Sequence, residues 1–364
     1  MRRLGSVLLL LAAVAAWSFN SAAVAQPAAS PDDTARFLAG MQPSAGSPLA
    51  SLTSAPAWQA HARFFDGEWA KLEKRQLEKV RDFRKTYLTE QEKTLFYFFS
   101  GPDFLYADGF FPNATTYVLA GLEPVGPIPD VTAIRPAALP QNLGYLKTSL
   151  QHIMGFSYFI TLDMGKHLAQ GQLPGTLPVL YVFMARAGMT LKTVQHVRLE
   201  SDGKLVELTG SEKEKPRAVK ITFAGKDGVA KTLYYFSTDL ANKGVAASGF
   251  LKFCETLGPG DAFLKSASYL LHEKIFSSTR EFLQANSKHI LQDDTGPPLS
   301  SYPEDTWTLK PFGKYTRPIA QFSGKYQKQM TLLFDKGNPP PFDFSVGYRW
   351  RPGQSNLVWA TKKK

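Results

Sequence analysis

One cysteine, Cys254, stands in the whole chain. That excludes an intrachain disulfide and any cysteine-cluster metal site. Within the apolar stretch 250–257 the thiol reads as a small buried hydrophobe. Long apolar runs are missing too. Beyond residue 17 no stretch approaches the roughly 20 residues that span a bilayer, so no transmembrane segment is expected in the mature chain. H-E-x-x-H, the phosphate loop and G-x-S-x-G are all absent, and with them the motif grounds for those catalytic classes. No nucleic-acid-binding motif has its proper spacing, and no nucleic-acid partner is expected.

What is present is globular. The 364 residues are 44% hydrophobic and 20% charged, and Phe 26, Tyr 14 and Trp 6 supply ample apolar area for a core. The formal charge is +11 and stays at +9 when Arg2 and Arg3 leave with residues 1–25. A basic balance of this kind favours anionic partners, such as anionic envelope components.

Residues 1–25 read as a secretory signal peptide. Arg2 and Arg3 precede an apolar run from Leu4 to Trp17, and Ala23-Val24-Ala25 fits the small-x-small cleavage rule. The run of 14 residues is short for a membrane anchor. The expected location is periplasmic or secreted, where nucleotide cofactors are scarce. The residues themselves name no cofactor. Residues 26–56, rich in Ala, Pro and Ser, read as a flexible leader. Residues 57–364 are expected to form one large α/β domain, with a sub-boundary near residue 189.

Apolar positions at Phe65, Trp69, Leu72, Val80, Phe83 and Tyr87 have helical spacing. The run 94–100 (TLFYFFS) reads as a strand buried on both faces. A short helix over 104–111 and a second strand over 115–122 follow. A helix is predicted over 146–170; 176–187 fits a strand or a helix, and a helix is preferred, with Pro178 in its first turn and Gly188 as its stop. Two hairpins are predicted, 190–200 with 204–209 and 218–224 with 229–237. The chain then reads as helical over 249–291, broken at Gly258-Pro259-Gly260, and as a last hairpin pairing 342–350 with 355–361. Together these mean an α/β fold built on a mixed sheet flanked by helices, with antiparallel hairpins inserted.

The segment 99–124, FSGPDFLYADGFFPNATTYVLAGLEP, resembles the opening unit of Rossmann-like methyltransferases. There a buried strand ends in a glycine turn, a short helix runs to a Phe-Pro-Asn-Ala-type corner, and a second strand ends in an acid. The resemblance implies a Rossmann-like sheet, with Ser100, Gly101 and Asp103 at the turn and Glu123 as the acid that holds a ribose. Here the turn has one glycine, followed by Pro102, which lacks an N–H donor. The chain as a whole resembles exported bacterial proteins, which implies export and no particular reaction.

Other candidates stand apart from that unit. His289, Asp293 and Asp294 are possible metal ligands, since positions four apart share one face of a helix. The same Asp-Asp-Thr-Gly stretch also suits a helix end and turn. Asp163 and His167 repeat the spacing. His272 with Arg280 reads as an anion site or as a core histidine. Tyr302, Trp307, Tyr315, Tyr348 and Trp350 are candidates to stack on sugars or to fill the core. Asp103 reads equally as a helix cap. Three functions fit: an envelope binding or structural protein, a hydrolase using the strand-end carboxylates with or without a divalent metal, and a Rossmann-like fold without a working cofactor site.

Overall fold

The structure, a computed structural model, describes residues 28–155, 171–209, 215–349, 351 and 353–364. The expected signal peptide, residues 156–170 with the Asp163–His167 pair, and Trp350 lie outside them. No helix among the described residues is long and apolar enough to cross a membrane.

Helix α1 (Pro31–Leu38) is capped by Ser30, whose hydroxyl accepts the Asp33 amide at 3.0 Å, with Pro31 in its first turn. Phe37 and Leu38 are fully buried, and the Phe37 ring lies 5.6 Å from that of Trp58. The stretch expected to be a flexible leader therefore carries a docked helix from residue 31. Helices α2 (Pro56–Leu72) and α3 (Glu78–Tyr87) are joined through one widened turn, Glu73–Leu77. That turn carries Gln76 inward, where its side chain exchanges two hydrogen bonds with the Ser345 backbone.

Strand β1 (Thr94–Tyr97), helix α4 (Phe104–Phe110) and strand β2 (Thr116–Gly121) follow the sequence reading closely. Next come α5 (Leu139–Gly155), α6 (Leu177–Arg186), β3 (Thr190–Leu199), β4 (Leu205–Glu207), β5 (Ala218–Ala224) and β6 (Ala230–Ser237). Pro178 sits in the first turn of α6, Gly188 follows its end with φ +78°, and both hairpins form as expected.

The remaining elements are α7 (Asn242–Ser248), α8 (Phe250–Thr256), β7 (Gly260–Leu264), α9 (Ser277–Asn286), β8 (Ser287–Gln292), β9 (Trp307–Gly313), α10 (Lys328–Gly337) and β10 (Asn356–Lys362). Two expectations are corrected here. The break expected at 258–260 is there, but the chain resumes as strand β7 rather than as helix, and the stretch read as helical to 291 ends in β8. Both strands are short and sealed by helices, so their apolar runs carry no alternation to set them apart from helix. The last hairpin does not form. β10 pairs with β8 and β9, whereas residues 342–349 make only an isolated bridge. Phe342 and Phe344 instead press their rings on Phe83, at 5.7 and 5.4 Å.

The ten strands of the described residues form one mixed sheet in the order β4-β3-β5-β6-β2-β1-β7-β8-β10-β9. Its centre, β6-β2-β1-β7-β8, is parallel, and antiparallel strands extend both ends. The outermost strands are β4, three residues long, and β9, which contains Pro311. Side chains alternate between two cores: Leu95 and Tyr97 enter one, Phe96 and Phe98 the other. The fold is thus α/β with apolar layers on both sheet faces. Each large apolar side chain so buried contributes about 1.5–3 kcal/mol. From β1 the chain steps to β2 and β6 on one side and later to β7 and β8 on the other. The order reverses between β1 and β7, and in open α/β sheets ligands enter beside such a reversal, outside the carboxyl ends of the strands.

Candidate functional site

At that place the loops after β1, β2, β6 and β7 enclose a crevice of about 140 Å³. Phe99 and Gly101 border it from β1, Glu123 from β2, Thr238 and Asp239 from β6, and Ser266 and Ser268 from β7. Leu270 and Phe276 close its apolar side, and among the described residues no lysine, arginine or histidine lines it.

The backbone at this edge is strained. Of six non-glycine residues with positive φ among the described residues, four lie here: Phe99 (61°), Ser266 (54°), Ser268 (50°) and Tyr269 (56°). Each such residue costs about 1–3 kcal/mol, and such strain clusters at ligand sites. The left-handed turn at Phe99 and Gly101 follows directly from β1, where Ser100 still donates its amide to Ala120 O at 2.9 Å.

Glu123 is folded back under the turn after β1. Its carboxylate packs on two glycines. A Cβ at Gly121 would stand 2.3 Å from Oε2, and one at Gly101 would stand 3.2 Å from it. Glu123 is 4% exposed, yet among the described residues its carboxylate has one donor, the Tyr235 hydroxyl, at 3.4 Å from Oε2. That hydroxyl sits closer to the Glu123 carbonyl, at 2.8 Å. Burial, followed by the charge of Glu123, pushes the Tyr235 phenol well above its usual range. Across the crevice, Ser266 Oγ is buried with no partner among the described residues.

Asp103 is close in sequence but sealed away. It caps α4 by accepting the Tyr106 amide at 3.2 Å, and its Oδ2 receives Lys265 Nζ at 2.8 Å and the Tyr97 hydroxyl at 2.7 Å. Lys265 also lies 4.8 Å above the Tyr106 ring. Burial and the Asp103 charge push the Tyr97 phenol well up. Asp103 therefore ties the turn after β1 to the end of β7. Ser100 is likewise turned inward, donating to the Gly101 carbonyl at 2.8 Å.

The other sequence candidates do not converge on the crevice. His289 and Asp293 do not share a helical face, because residue 289 lies in a strand. Four residues along a strand span about 13 Å. His289 sits at the amino end of the parallel strands, with Nδ1 2.8 Å from Asp261 Oδ1 and its ring stacked on Trp359 at 4.9 Å. Asp293 accepts from the Ser266 amide at 2.8 Å and from the Thr295 amide at 2.8 Å. Asp294 accepts from the Tyr269 hydroxyl and from Asn356 Nδ2. Among the described residues no group of three His, Cys, Asp or Glu side chains is placed to hold a metal ion. His272 bonds the Gly296 carbonyl at 3.0 Å, and burial lowers its pKa to about 4. Arg280 donates to the Leu271 carbonyl at 2.8 Å, so the two hold loops rather than a shared anion.

Sequence reasoning missed Ser266, Ser268, Lys265 and Asp239. The signal was there: GDAFL followed by Lys-Ser-Ala-Ser repeats the pattern of an apolar run and small residues seen after β1. Reading it as helix hid the loop. No protein-family model matches this chain, and no curated protein sequence does.

Proposed function

We propose that the protein binds a small, neutral, hydroxyl-rich ligand in the strand-end crevice, either one sugar ring or the ribose of a nucleoside. The observation that carries this reading is Glu123, a buried carboxylate at the crevice with a single donor at 3.4 Å among the described residues. A carboxylate offers about four lone-pair sites, and a vicinal diol brings two matching donors. Ser266 Oγ is a second polar atom in need of a partner. Phe99 and Phe276 supply apolar faces for ring C–H groups. Sites that enclose drug-sized molecules measure about 300–1,000 Å³, so about 140 Å³ suits a single ring. An anionic ligand would meet Glu123 and Asp239 with no cation among the described residues lining the crevice.

Calorimetry with ribose, adenosine, glucose and N-acetylglucosamine tests the proposal. One of them should bind to the parent protein and fail to bind to Glu123→Gln. Absence of binding by all four, or equal binding by the variant, rejects it. The resemblance to Rossmann-like methyltransferases favours the ribose form, because Glu123 stands just past β2 beside the β1 turn. S-adenosylmethionine belongs in the same titration, although Pro102 offers no N–H to a ligand there. A hydrolase reading has less support. Asp103 is neutralised by Lys265, and Asp293 and Asp294 are occupied by protein donors.

The run 4–17 and the small residues at 23–25 support a periplasmic or secreted location for this binding activity. The +9 charge of the chain without residues 1–25 supports contact of the outer surface with anionic envelope components. Fractionation of the source cells, with salt washes of the envelope, checks both.

A further inference from the structure

Strand β6 runs parallel to β2, so it too ends at the crevice side of the sheet. β5 is antiparallel to β6, and β3 to β5, which brings the start of β5 and the end of β3 to that same side. A second cavity of about 340 Å³ opens there, more than twice the size of the crevice. Among the described residues the two share one lining residue, Thr238. The floor of the cavity is apolar. Val197, Ala218 and Phe236 stand directly opposite one another on adjacent strands and all are buried in one core, so their side chains share one face. Leu199, two residues along β3, continues that face. One wall is held firmly. Ser248 ends α7, and the following Gly249 packs so closely on the turn after β3 that a Cβ there would stand 2.2 Å from the Glu200 carbonyl oxygen.

The rim of the cavity is basic. Arg198, Lys215 and Arg217 line it, and among the described residues no Asp or Glu does. Arg198 is engaged with Glu200, whose Oε1 accepts its Nε at 3.0 Å and its Nη2 at 2.8 Å. Lys215 and Arg217 are exposed and make no ion pair among the described residues. The Arg217 backbone is anchored, since its carbonyl accepts the Ser237 amide at 2.7 Å. We propose that this cavity is a second binding site, for an amphipathic organic anion, with a carboxylate or phosphate head at Lys215 and Arg217 and an apolar body over Val197, Ala218 and Phe236.

The crevice and this cavity are opposite in charge, and that separates their ligands. Glu123 and Asp239 repel an acid from the first, whereas cations border the second. Charges beside an apolar floor act through a medium less polarisable than water, which strengthens their pull on an acidic head. A guanidinium also offers paired N–H donors that match two oxygens of a carboxylate or phosphate. Sites that enclose drug-sized molecules start at about 300 Å³, so the cavity takes a longer body than the single ring that suits the crevice. A bare inorganic anion would leave the floor in water, and a neutral apolar molecule would leave the two cations without a counter-charge. The proposal does not depend on the crevice reading.

Calorimetry of the full chain at low salt with octanoate, octyl phosphate, octanol and inorganic phosphate tests the site. At least one octyl anion should bind, and the tighter of the two names the head group. Octanol and inorganic phosphate should each bind at least about tenfold more weakly, because each lacks one half of the recognition. Lys215→Gln combined with Arg217→Gln should weaken the octyl anion by about tenfold or more. Both side chains are exposed, so this variant should fold as the parent does. Lys71→Gln combined with Lys74→Gln removes two exposed charges far from the cavity and should leave binding unchanged. Glu123→Gln should also leave it unchanged, which keeps this site distinct from the crevice. Failure of both octyl anions to bind overturns the proposal, as does octanol or inorganic phosphate binding as tightly as they do. So does parent affinity in the Lys215/Arg217 variant, or an equal loss in the Lys71/Lys74 variant, which would assign the binding to net charge alone.

Discussion

The ammonium of Lys265 lies 2.8 Å from the carboxylate of Asp103, and both side chains are almost completely enclosed. This pair fastens the carboxyl ends of β1 and β7 to each other at the sheet's reversal point. Removing one partner of such a buried pair leaves an uncompensated charge, at a cost of about 3–5 kcal/mol. Lys265→Met should therefore lower unfolding stability by that amount in urea titrations. The double variant Lys265→Met with Asp103→Asn should recover part of it. Full stability in the single variant would mean the ion pair does not hold this edge.

Gly121 has no room for a side chain. A methyl there would stand 2.3 Å from Glu123 Oε2 and 3.0 Å from the Gly101 backbone. Gly121→Ala must push Glu123 or the turn aside, at about 1–3 kcal/mol. Ligand binding should be lost with it. A variant that binds as well as the parent protein would place the ligand elsewhere.

Acid should loosen the amino-terminal part of the fold through His61. Its Nε2 is 2.8 Å from the Leu38 carbonyl, and burial lowers its pKa to about 4 from 6.5. The unfolded chain takes up this proton first. The contribution is complete above pH 6.5 and is lost as the pH falls towards about 4. His61→Gln should flatten the stability profile in that interval. A profile with the parent slope would assign the acid sensitivity to other groups.

Phe37 is fully buried against Trp58, so α1 is part of the core. Phe37→Ala should cost about 3–5 kcal/mol by denaturant unfolding. Little or no loss would show that α1 contributes nothing to stability.

The central unit was legible because its signals are local. TLFYFFS is too apolar for any exposed element, and Gly101, Asp103 and Glu123 fall where strand, cap and strand end require. Hairpins with Gly203 and Gly228 at positive φ were legible for the same reason. What failed depended on distant partners. Ser287–Gln292 becomes a strand because β7 and β10 lie beside it, and residues 342–349 lose their hairpin to Gln76 and Phe83, far earlier in the chain. The roles of Asp293 and Asp294 were hidden in the same way, since each is defined by a loop some 25 residues upstream.

The two border strands have one more effect. β4 offers only three residues of backbone, and β9 interrupts its outer rim with Pro311. A short margin and a missing N–H are poor templates for another chain. A sheet this wide is thereby terminated on both sides, and at high local concentration the folded protein should resist stacking rim to rim into aggregates.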